Sequence, residues 1–265
     1  MKYCRFQLNG QACYGLIESV AGREEVTRLL VKPPETAGDL EDVPTKSISR
    51  VPLTEANLLV PVQPSKIVCV GRNYREHAAE LGNEVPKEPL IFLKPPSSLL
   101  PTGGVIRRPR ISQRTDFEGE LAVIIGTQCH KLAEDADVRP YILGYTVLND
   151  FTARDIQKSD SQWTRGKGYD TFCPVGPLVS TEIDPWAGVT VETRVNGETR
   201  QHGNTRDFIF PLEVIIRYIA QVMTLLPGDV IATGTPEGVG PVVSGDSIEI
   251  TVEGVGTLSN RVEDE

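Results

Sequence analysis

The pattern of apolar and polar positions predicts a chain built mostly of β-strands. Short apolar runs bounded by glycine, proline or polar clusters are typical of buried strands. Six runs of this kind lie at residues 67–71, 121–126, 144–149, 229–232, 247–252 and 257–262. Their number and spacing favour an α+β fold that is mainly β, with a few helices.

The helical signal is strongest in residues 210–226, where apolar side chains recur at intervals of three and four residues. Pro211 suits the first turn of this helix, and Pro227-Gly228 predicts its end. Residues 74–80 and 152–163 predict two further helices that are mostly polar. We expect the apolar stripe of the longest helix to pack on the core.

The first 62 residues predict a small N-terminal β unit. Asn9-Gly10 lies between two strand-like runs, which is the typical pattern of a β-hairpin. Residues 32–50 contain several prolines and predict a loop-rich segment, and residues 61–65 predict a linker. We therefore expect two domains, a small β domain at 1–62 and a larger domain at 66–265.

Composition excludes several classes of partner. The chain of 265 residues has a net charge of −9, and its calculated pI is near 5.0. An acidic protein of this kind is not expected to bind nucleic acid or an anionic membrane. No apolar stretch approaches the length that spans a bilayer, and the first ten residues lack the apolar core of a signal peptide. The five cysteines show no Cys-x-x-Cys spacing, so we expect reduced thiols in a cytoplasmic protein.

The most informative polar residues are three carboxylates beside predicted strands. Glu118 and Glu120 precede the run at 121–126, and their spacing of two places both side chains on one face. Asp150 follows the run at 144–149 in a similar way. Buried like charges are costly unless a cation neutralises them, and oxygen ligands alone favour Mg²⁺ or Mn²⁺ over zinc. The alternative is a charged edge strand whose glutamates are solvated.

A histidine and a glutamate predict a general base. His77 and Glu80 are three residues apart on a predicted helix, so they share one face. A carboxylate beside an imidazole fixes its tautomer and raises its basicity. The alternative is an ordinary surface pair on a polar helix.

Further polar residues follow the third carboxylate. Arg154 and Gln157 are one turn apart on a predicted helix, and Lys167 lies in a predicted glycine-containing loop. Ordinary solvated charge is the alternative for all three. The run at 233–240 superficially resembles a phosphate loop but lacks its Gly-Lys-Ser/Thr ending, so we do not expect nucleotide binding. We expect this loop to present threonine hydroxyls and backbone N–H groups to a small carboxylate.

Six motifs, in the same order along the chain, resemble the fumarylacetoacetate hydrolase superfamily. They are Val70-Gly71-Arg72-Asn73-Tyr74 with His77 and Glu80; Phe92-Leu93-Lys94-Pro95; Glu118 with Glu120; Asp150 with Thr152-Ala153-Arg154-Asp155; Trp163 with Lys167; and Thr233-Gly234-Thr235-Pro236. The resemblance covers the chain from Lys66 to its C-terminus. It is strongest to the branch of acylpyruvases, oxaloacetate decarboxylases and hydroxyhepta-dienedioate isomerases.

The resemblance implies a fold and a set of roles. The fold would be a mixed β-sandwich roll with a few helices, and the protein would form a homodimer. Glu118, Glu120 and Asp150 would bind Mg²⁺ or Mn²⁺. The catalytic residues would be His77 and Glu80, which activate water, and Lys167 beside the metal. The substrate-binding residues would be Arg72, Arg154, Gln157, Gly234 and Thr235.

The function implied is metal-dependent hydrolysis of a C–C bond in a small 2,4-dioxo acid, such as an acylpyruvate or fumarylpyruvate. The same site could isomerise a 5-carboxymethyl-2-hydroxymuconate or 2-hydroxyhepta-2,4-diene-1,7-dioate, or decarboxylate oxaloacetate. A third possibility is a metal-binding scaffold without activity. The first 62 residues do not resemble the larger N-terminal domain of the hydrolase of tyrosine degradation, which argues against fumarylacetoacetate as the substrate.

Overall fold

The structure is a computed structural model, and it describes residues 1–34, 44–80, 82 and 84–265. Strands are its main regular structure and far outnumber the helices, which confirms the predicted mainly β class. In chain order they are β1 Lys2–Leu8, β2 Gln11–Val20, β3 Arg23–Leu30, β4 Thr45–Pro52, β5 Asn57–Leu59, β6 Ile67–Gly71, β7 Leu90–Lys94, β8 Leu99–Leu100, β9 Val105–Arg108, β10 Thr115–Phe117, β11 Gly119–Ile125, β12 Ile142–Asn149, β13 Thr152–Ala153, β14 Cys173–Ser180, β15 Thr190–Val195, β16 Glu198–Asn204, β17 Val230–Ala232, β18 Gly240–Val242, β19 Ser247–Val252 and β20 Gly256–Asp264.

Helices are few and short within the described part of the chain. The α-helices are α1 Arg75–Glu80, α2 Arg154–Ser159, α3 Thr164–Lys167 and α4 Leu212–Val222. Three 3₁₀ turns lie at Pro96–Ser98, Arg139–Tyr141 and Thr205–Asp207. None of the helices formed by the described residues is long and apolar enough to cross a membrane.

A large mixed sheet carries the functional residues. Its strand order is β4-β3-β2-β1-β14-β12-β11-β17-β6-β7. A second sheet of order β16-β15-β19-β20-β9 packs on it where β15, β19 and β20 meet β11, β12 and β14. Every residue of β11 and β12 is buried, because both faces of these strands are covered. This burial explains why their sequences are continuous apolar runs rather than alternating ones.

The predicted N-terminal hairpin is present. Strands β1 and β2 pair in antiparallel register from Lys2 opposite Ile17 to Leu8 opposite Gln11. Asn9 and Gly10 connect them with φ angles of 52° and 79°, the left-handed conformations that a tight hairpin turn requires. Strand β1 also pairs with β14, so the N-terminal strands extend the large sheet. The division into domains at 62 and 66 stays a prediction.

The loop predicted at residues 32–50 is partly wrong. Residues 35–43 of that segment lie outside the described residues. From Thr45 the chain forms β4, which pairs with β3 at the end of the sheet. The polar composition misled the prediction, because an edge strand tolerates polar side chains on its exposed positions and a proline at its end.

The longest helix is shorter than predicted at both ends. Helix α4 spans 11 residues, and Pro211 precedes it as the N-cap rather than lying in its first turn. Its end is set by Met223, which is extended, and by Leu225, whose backbone exchanges two hydrogen bonds with that of Cys129. The predicted apolar stripe is buried, at Leu212, Ile215, Ile216, Ile219 and Ala220.

The single helix predicted at 152–163 is wrong. Thr152 and Ala153 form β13 instead, because they pair with Asp116 and Thr115 of β10. Helix α2 then ends at Ser159, where Asp160 turns extended and accepts two hydrogen bonds from Arg165. The predicted loop around Lys167 is the short helix α3, which Gly168 ends.

Candidate active site

Three carboxylates converge at one end of the central strands. Strands β11 and β12 are antiparallel neighbours with Gly119 opposite Asn149, so Glu118 and Asp150 lie at the same end. The backbone N–H of Asp150 donates to the carbonyl of Glu118 at 2.9 Å. One oxygen from each of Glu118, Glu120 and Asp150 lies within 4.8 Å of the others. All three side chains are buried, so the alternative of solvated glutamates is wrong.

Buried cations hold two of these carboxylates. Lys167 Nζ donates to Asp150 Oδ2 at 2.6 Å and to Glu118 Oε2 at 2.8 Å. Lys94 Nζ donates to Asp150 Oδ1 at 2.6 Å, and Arg154 donates to Glu118 Oε1. Burial alone would raise the pKa of Glu118, but the charges of Lys167 and Arg154 outweigh it and hold that pKa well below its usual range. The ionised form of Glu118 is therefore favoured, and Asp150 is held by two ammonium groups.

Glu120 differs from its two neighbours. Within the described residues no lysine or arginine side chain forms a salt bridge with Glu120. Its Oε2 accepts a hydrogen bond from the backbone N–H of Gly234 at 2.8 Å. Burial, together with the negative charges of Asp150 and Glu118, raises the pKa of Glu120 well above its usual value. Glu120 is thus the carboxyl of the cluster whose ionised form lacks a compensating cation among the described residues.

The charge balance of the cluster fits a divalent cation. Its buried carboxylates are Glu118, Glu120, Asp150 and Asp116, and its buried cations are Lys94, Lys167 and Arg154. Half-exposed Arg114 adds a contact to Asp116 at the edge. Among the buried groups one negative charge lacks a partner. Three convergent carboxylates are the hard oxygen donors that Mg²⁺ and Mn²⁺ prefer, so the residues fit such an ion.

His77 and Glu80 lie beside this cluster on α1. His77 is buried, which excludes an ordinary surface pair, and burial lowers the pKa of its imidazole. Its Nδ1 is enclosed without a hydrogen-bond partner among the described residues, and it lies 3.7 Å from Glu80 Oε2. Glu80 also accepts a hydrogen bond from the backbone N–H of Gly238 at 3.1 Å. The imidazole is therefore neutral, next to a carboxylate that can orient it.

The loop at 233–240 supports β11 more than it faces a ligand. The hydroxyl of Thr233 donates to the carbonyl of Leu121 at 2.8 Å, and the hydroxyl of Thr235 donates to that of Gly119 at 2.9 Å. Gln201 in turn donates to Thr235 Oγ1 at 2.8 Å. Both hydroxyl protons are thus directed at backbone carbonyls, and the expected presentation of this loop to a small carboxylate stays a prediction.

Most of the predicted residues line one cavity of about 190 Å³. Its predicted members are Arg72, His77, Glu118, Glu120, Asp150, Arg154, Gln157, Lys167 and Thr235. Glu80 lines a neighbouring cavity, and Gly234 contacts the first cavity only through its backbone N–H, which donates to Glu120 Oε2. The guanidinium of Arg154 donates hydrogen bonds to Asp116, Glu118 and Gln157, so it positions the two carboxylates. The substrate-binding roles of these residues stay predictions.

The sequence did not predict a role for four residues near the cavity: Lys94, Asp116, Lys158 and Gln201. The role of Lys94 was predictable, because a lysine at the end of the apolar run of β7 is expected to be buried and then needs an acidic partner. Gln201 had no such signal, and neither had the pairing of Asp116 with buried Arg154, because these partners are distant in the chain. Lys158 lines the cavity one turn beyond Arg154.

Two family matches agree with this fold and site. Residues 66–263 match the family described as Fumarylacetoacetate (FAA) hydrolase C-terminal. Residues 1–61 match a second family, Rv2993c-like, N-terminal. Because the first match spans well over half of the chain, the protein belongs to the fumarylacetoacetate hydrolase family. The predicted resemblance is confirmed.

Individual relatives show the range of activities found with similar sequences. The chain is 47% identical over 207 residues to the mitochondrial oxaloacetate tautomerase FAHD1 of Arabidopsis thaliana, and the match covers 76% of this chain and 92% of that protein. A solved structure of 5-carboxymethyl-2-hydroxymuconate delta-isomerase from Mycobacterium smegmatis is 38% identical, with a TM-score of 0.88 and full coverage of both chains.

A hydrolase is also similar to this chain. The structure of fumarylpyruvate hydrolase from Pseudomonas aeruginosa in complex with Mn²⁺ and pyruvate is 31% identical, with a TM-score of 0.72. The match covers 78% of this chain and 91% of that one. The similar proteins thus include a tautomerase, an isomerase and a hydrolase, so family membership leaves the reaction to be argued from the site.

Proposed function

We propose that this protein is a Mg²⁺- or Mn²⁺-dependent enzyme that moves a proton at the carbon beside the oxo group of a small 2-oxo acid. The reaction class is keto–enol tautomerisation or isomerisation, with oxaloacetate as the model substrate. The proposal is carried by one observation. Buried His77, whose lowered pKa favours the neutral imidazole, lines the same cavity as the carboxylates Glu118, Glu120 and Asp150.

The metal would be held by the three convergent carboxylates. When bound, Mg²⁺ or Mn²⁺ supplies a Lewis acid that polarises the oxo group and stabilises an enolate. Lys94 and Lys167 hold Asp150, and Lys167 and Arg154 hold Glu118, so both carboxylates are positioned before a metal binds. A preorganised arrangement of this kind avoids reorganisation during the reaction.

His77 is the residue suited to move the proton. A general base must be unprotonated at the start, and burial lowers the pKa of this imidazole. Glu80, 3.7 Å from Nδ1, favours the tautomer that carries its proton on Nδ1 and leaves Nε2 free to accept. The imidazole can take a proton from the carbon beside the oxo group and return it to the substrate. Lys167 offsets negative charge that develops on the substrate oxygens.

The size of the cavity suits a small acid. Its volume of about 190 Å³ lies below the range of about 300–1,000 Å³ typical of sites for drug-sized ligands. Half of the lining residues are charged, and Val70, Phe92 and Trp163 are the apolar side chains of the wall. Names of similar proteins, an oxaloacetate tautomerase and a delta-isomerase, support proton transfer as the reaction.

Hydrolysis of a C–C bond in a 2,4-dioxo acid is the second candidate. Glu80 beside His77 favours it, because a carboxylate–imidazole pair can also activate water. The similarity to a fumarylpyruvate hydrolase with Mn²⁺ and pyruvate supports it further. In this reaction His77 would take a proton from water, which attacks the distal carbonyl of the substrate. The adjacent C–C bond would then break, its electron pair would form the enolate of pyruvate, and this enolate would take up the proton.

A substrate panel tests both candidates. The enol form of oxaloacetate, acetylpyruvate and a 2-hydroxydienedioate are each assayed with Mg²⁺ and with EDTA, by enol absorbance and by release of pyruvate and CO₂. We expect Mg²⁺-dependent enol conversion to exceed the other rates. Faster release of pyruvate from acetylpyruvate would establish the hydrolase, and faster CO₂ release from oxaloacetate a decarboxylase. No turnover of any substrate would overturn the proposal in favour of a scaffold.

The remaining partners are proposed on the same basis. A small 2-oxo acid is the ligand that the charge and size of the cavity suit. A homodimer in the cytoplasm remains the prediction drawn from the family resemblance and the composition, and sedimentation of the purified protein measures its oligomeric state.

A further inference from the structure

A buried glutamine of the second sheet contacts the backbone between two of the clustered carboxylates. Gln201 of β16 is only 1% exposed, and it lies opposite Thr193 of β15. Its side-chain amide is bonded to Gly119, the residue between Glu118 and Glu120 in the chain. Gln201 is not among the residues that line the cavity, so any effect on the site must pass through this backbone.

The N–H and carbonyl groups of Gly119 are both bonded to side chains. Strand β17 pairs with β11 only from Ala122 to Ile124, so this pairing ends before Gly119. The N–H of Gly119 donates to Gln201 Oε1 at 3.0 Å, and its carbonyl accepts from the hydroxyl of Thr235 at 2.9 Å. The amide oxygen of Gln201 thus takes the place of the carbonyl that a neighbouring strand would offer.

The side-chain amide of Gln201 has only one orientation that satisfies its neighbours. Its Nε2 donates to Thr235 Oγ1 and to the carbonyl of Pro236, both at 2.8 Å. The carbonyl of Pro236 can only accept and the N–H of Gly119 can only donate, so exchanging the oxygen and nitrogen of the amide would lose both bonds. Thr235 links the two contacts, because its hydroxyl accepts from Gln201 and donates to Gly119.

The close approach of the second sheet requires a glycine at position 119. Side chains alternate along a strand, so Glu118 and Glu120 face the cavity while position 119 faces the second sheet. A Cβ atom added to Gly119 would overlap with the hydroxyl of Thr193 and would lie 3.3 Å from Gln201 Oε1. A larger residue would therefore push β15 and β16 away from β11. Glycine permits the bond between its N–H and Gln201.

We propose that Gln201 is a positioning residue for the metal, which fixes the backbone between Glu118 and Glu120 so that both carboxylates converge before an ion binds. This inference rests on the metal site of the proposed function. The two glutamates share one short segment of backbone, so a shift of Gly119 would move both of them. Loss of a group that orients metal ligands typically lowers metal affinity by about 10–100-fold.

The alternative is that Gln201 serves only the packing of the two sheets. In that case its loss would lower the stability of the fold and leave the metal affinity unchanged. Thr193 provides a matched control, because it lies opposite Gln201 and against the same glycine. Its buried hydroxyl has no hydrogen-bond partner among the described residues. Thr193→Val therefore changes the same packing without removing a hydrogen bond.

Metal affinity and backbone protection test the proposal by separate measurements. Gln201→Met keeps the length of the side chain and removes its three hydrogen bonds. Titration of the metal-free protein with Mn²⁺, followed by the EPR signal of the free ion, should show an affinity about 10–100-fold below that of the wild type. Hydrogen exchange of the metal-free protein, followed by mass spectrometry at residues 117–121, should be at least about tenfold faster at the N–H of Gly119. Thr193→Val should match the wild type in both measurements.

A second pair of variants tests the same link from the other side of Gly119. Thr235→Val removes the hydrogen bond to the carbonyl of Gly119 and an acceptor of Gln201, so it should also weaken Mn²⁺ binding. Thr235→Ser keeps the hydroxyl and should bind Mn²⁺ as the wild type does. This pair decides the question if Gln201→Met does not fold. All affinities are compared at a temperature at which melting curves show every variant to be folded.

The outcomes separate this inference from the proposed function. A wild type that binds Mn²⁺ with an affinity that Gln201→Met and Thr235→Val leave unchanged would overturn the positioning role and leave the metal site intact. Equal weakening by Thr193→Val would also overturn that role, because it would assign the effect to packing. A wild type that binds no Mn²⁺ would overturn the proposed function. Faster exchange at Gly119 in Gln201→Met, but not in Thr193→Val, would even then support the hold of Gln201 on this backbone.

Discussion

Lys94 Nζ donates a hydrogen bond to Asp150 Oδ1 across 2.6 Å, and both side chains are almost completely buried. The same ammonium group donates to the carbonyl of Phe151 at 3.1 Å. Lys167 holds the other oxygen of this carboxylate. Asp150 is therefore fixed from two sides at the wall of the cavity.

The first prediction concerns this ion pair. Lys94→Met removes one partner of a buried charge, and the change should cost about 3 kcal/mol in the free energy of unfolding. Urea denaturation in the presence of EDTA measures the loss without a contribution from bound metal. Lys46→Met, a change on an exposed strand, should cost less than about 0.5 kcal/mol. Equal stability of the two variants would show that Lys94 contributes little to holding Asp150.

The sequence predicts those parts of this site in which the contacting residues are close together along the chain. The spacing of Glu118 and Glu120 before an apolar run was enough to predict that they share a face, because side-chain direction along a strand follows from local geometry. Their convergence with Asp150 followed from a second run that ends in a carboxylate. These inferences needed no knowledge of the sheet order.

The residues that the sequence missed depend on tertiary pairing. Gln201 reaches Thr235 and the backbone N–H of Gly119 only because β16 belongs to the second sheet, which packs on β11 through β15 and β19. The break of the predicted helix at 152–163 has a similar cause, since pairing with β10 draws Thr152 and Ala153 into a strand. Local propensity does not contain such contacts.

The second prediction is that Glu120→Gln separates stability from metal binding. Glu120 is buried beside two like charges with no cation of its own, so its neutral isostere should stabilise the metal-free protein by about 1–2 kcal/mol. The amide oxygen of glutamine can still accept from Gly234. Thermal unfolding in EDTA should therefore occur at a higher temperature for the variant than for the wild type.

Addition of Mg²⁺ or Mn²⁺ should reverse that order. The ion should raise the melting temperature of the wild type and leave that of Glu120→Gln nearly unchanged, because a neutral amide is a poor replacement for a carboxylate ligand. Glu249→Gln, on an exposed position of β19, serves as the matched control and should behave as the wild type. A normal metal response in Glu120→Gln would remove this residue from the metal site.

The third prediction concerns the base. His77→Ala should reduce enol conversion by about 10²–10⁴-fold, which is the usual contribution of a positioned base, while the affinity for Mg²⁺ stays within about twofold. The measurement combines initial rates with a thermal shift titration of the metal. His202→Ala tests for a general effect of losing an imidazole, because His202 is exposed beside Glu192. Unchanged rates in His77→Ala would mean that another group moves the proton.

The last prediction uses Glu80 to separate the two candidate reactions. Glu80→Gln keeps the shape of the side chain and an acceptor for the N–H of Gly238, but it removes the negative charge 3.7 Å from His77 Nδ1. Water is a weak acid, so hydrolysis depends strongly on the basicity of the imidazole, whereas the carbon acid of a metal-chelating 2-oxo acid is already activated. Hydrolysis of acetylpyruvate should fall by on the order of 10²-fold and enol conversion of oxaloacetate by less than about tenfold. Both rates are measured side by side at saturating Mg²⁺. An equal fall in the two activities would contradict a special role in water activation and would indicate that Glu80 acts only by positioning His77.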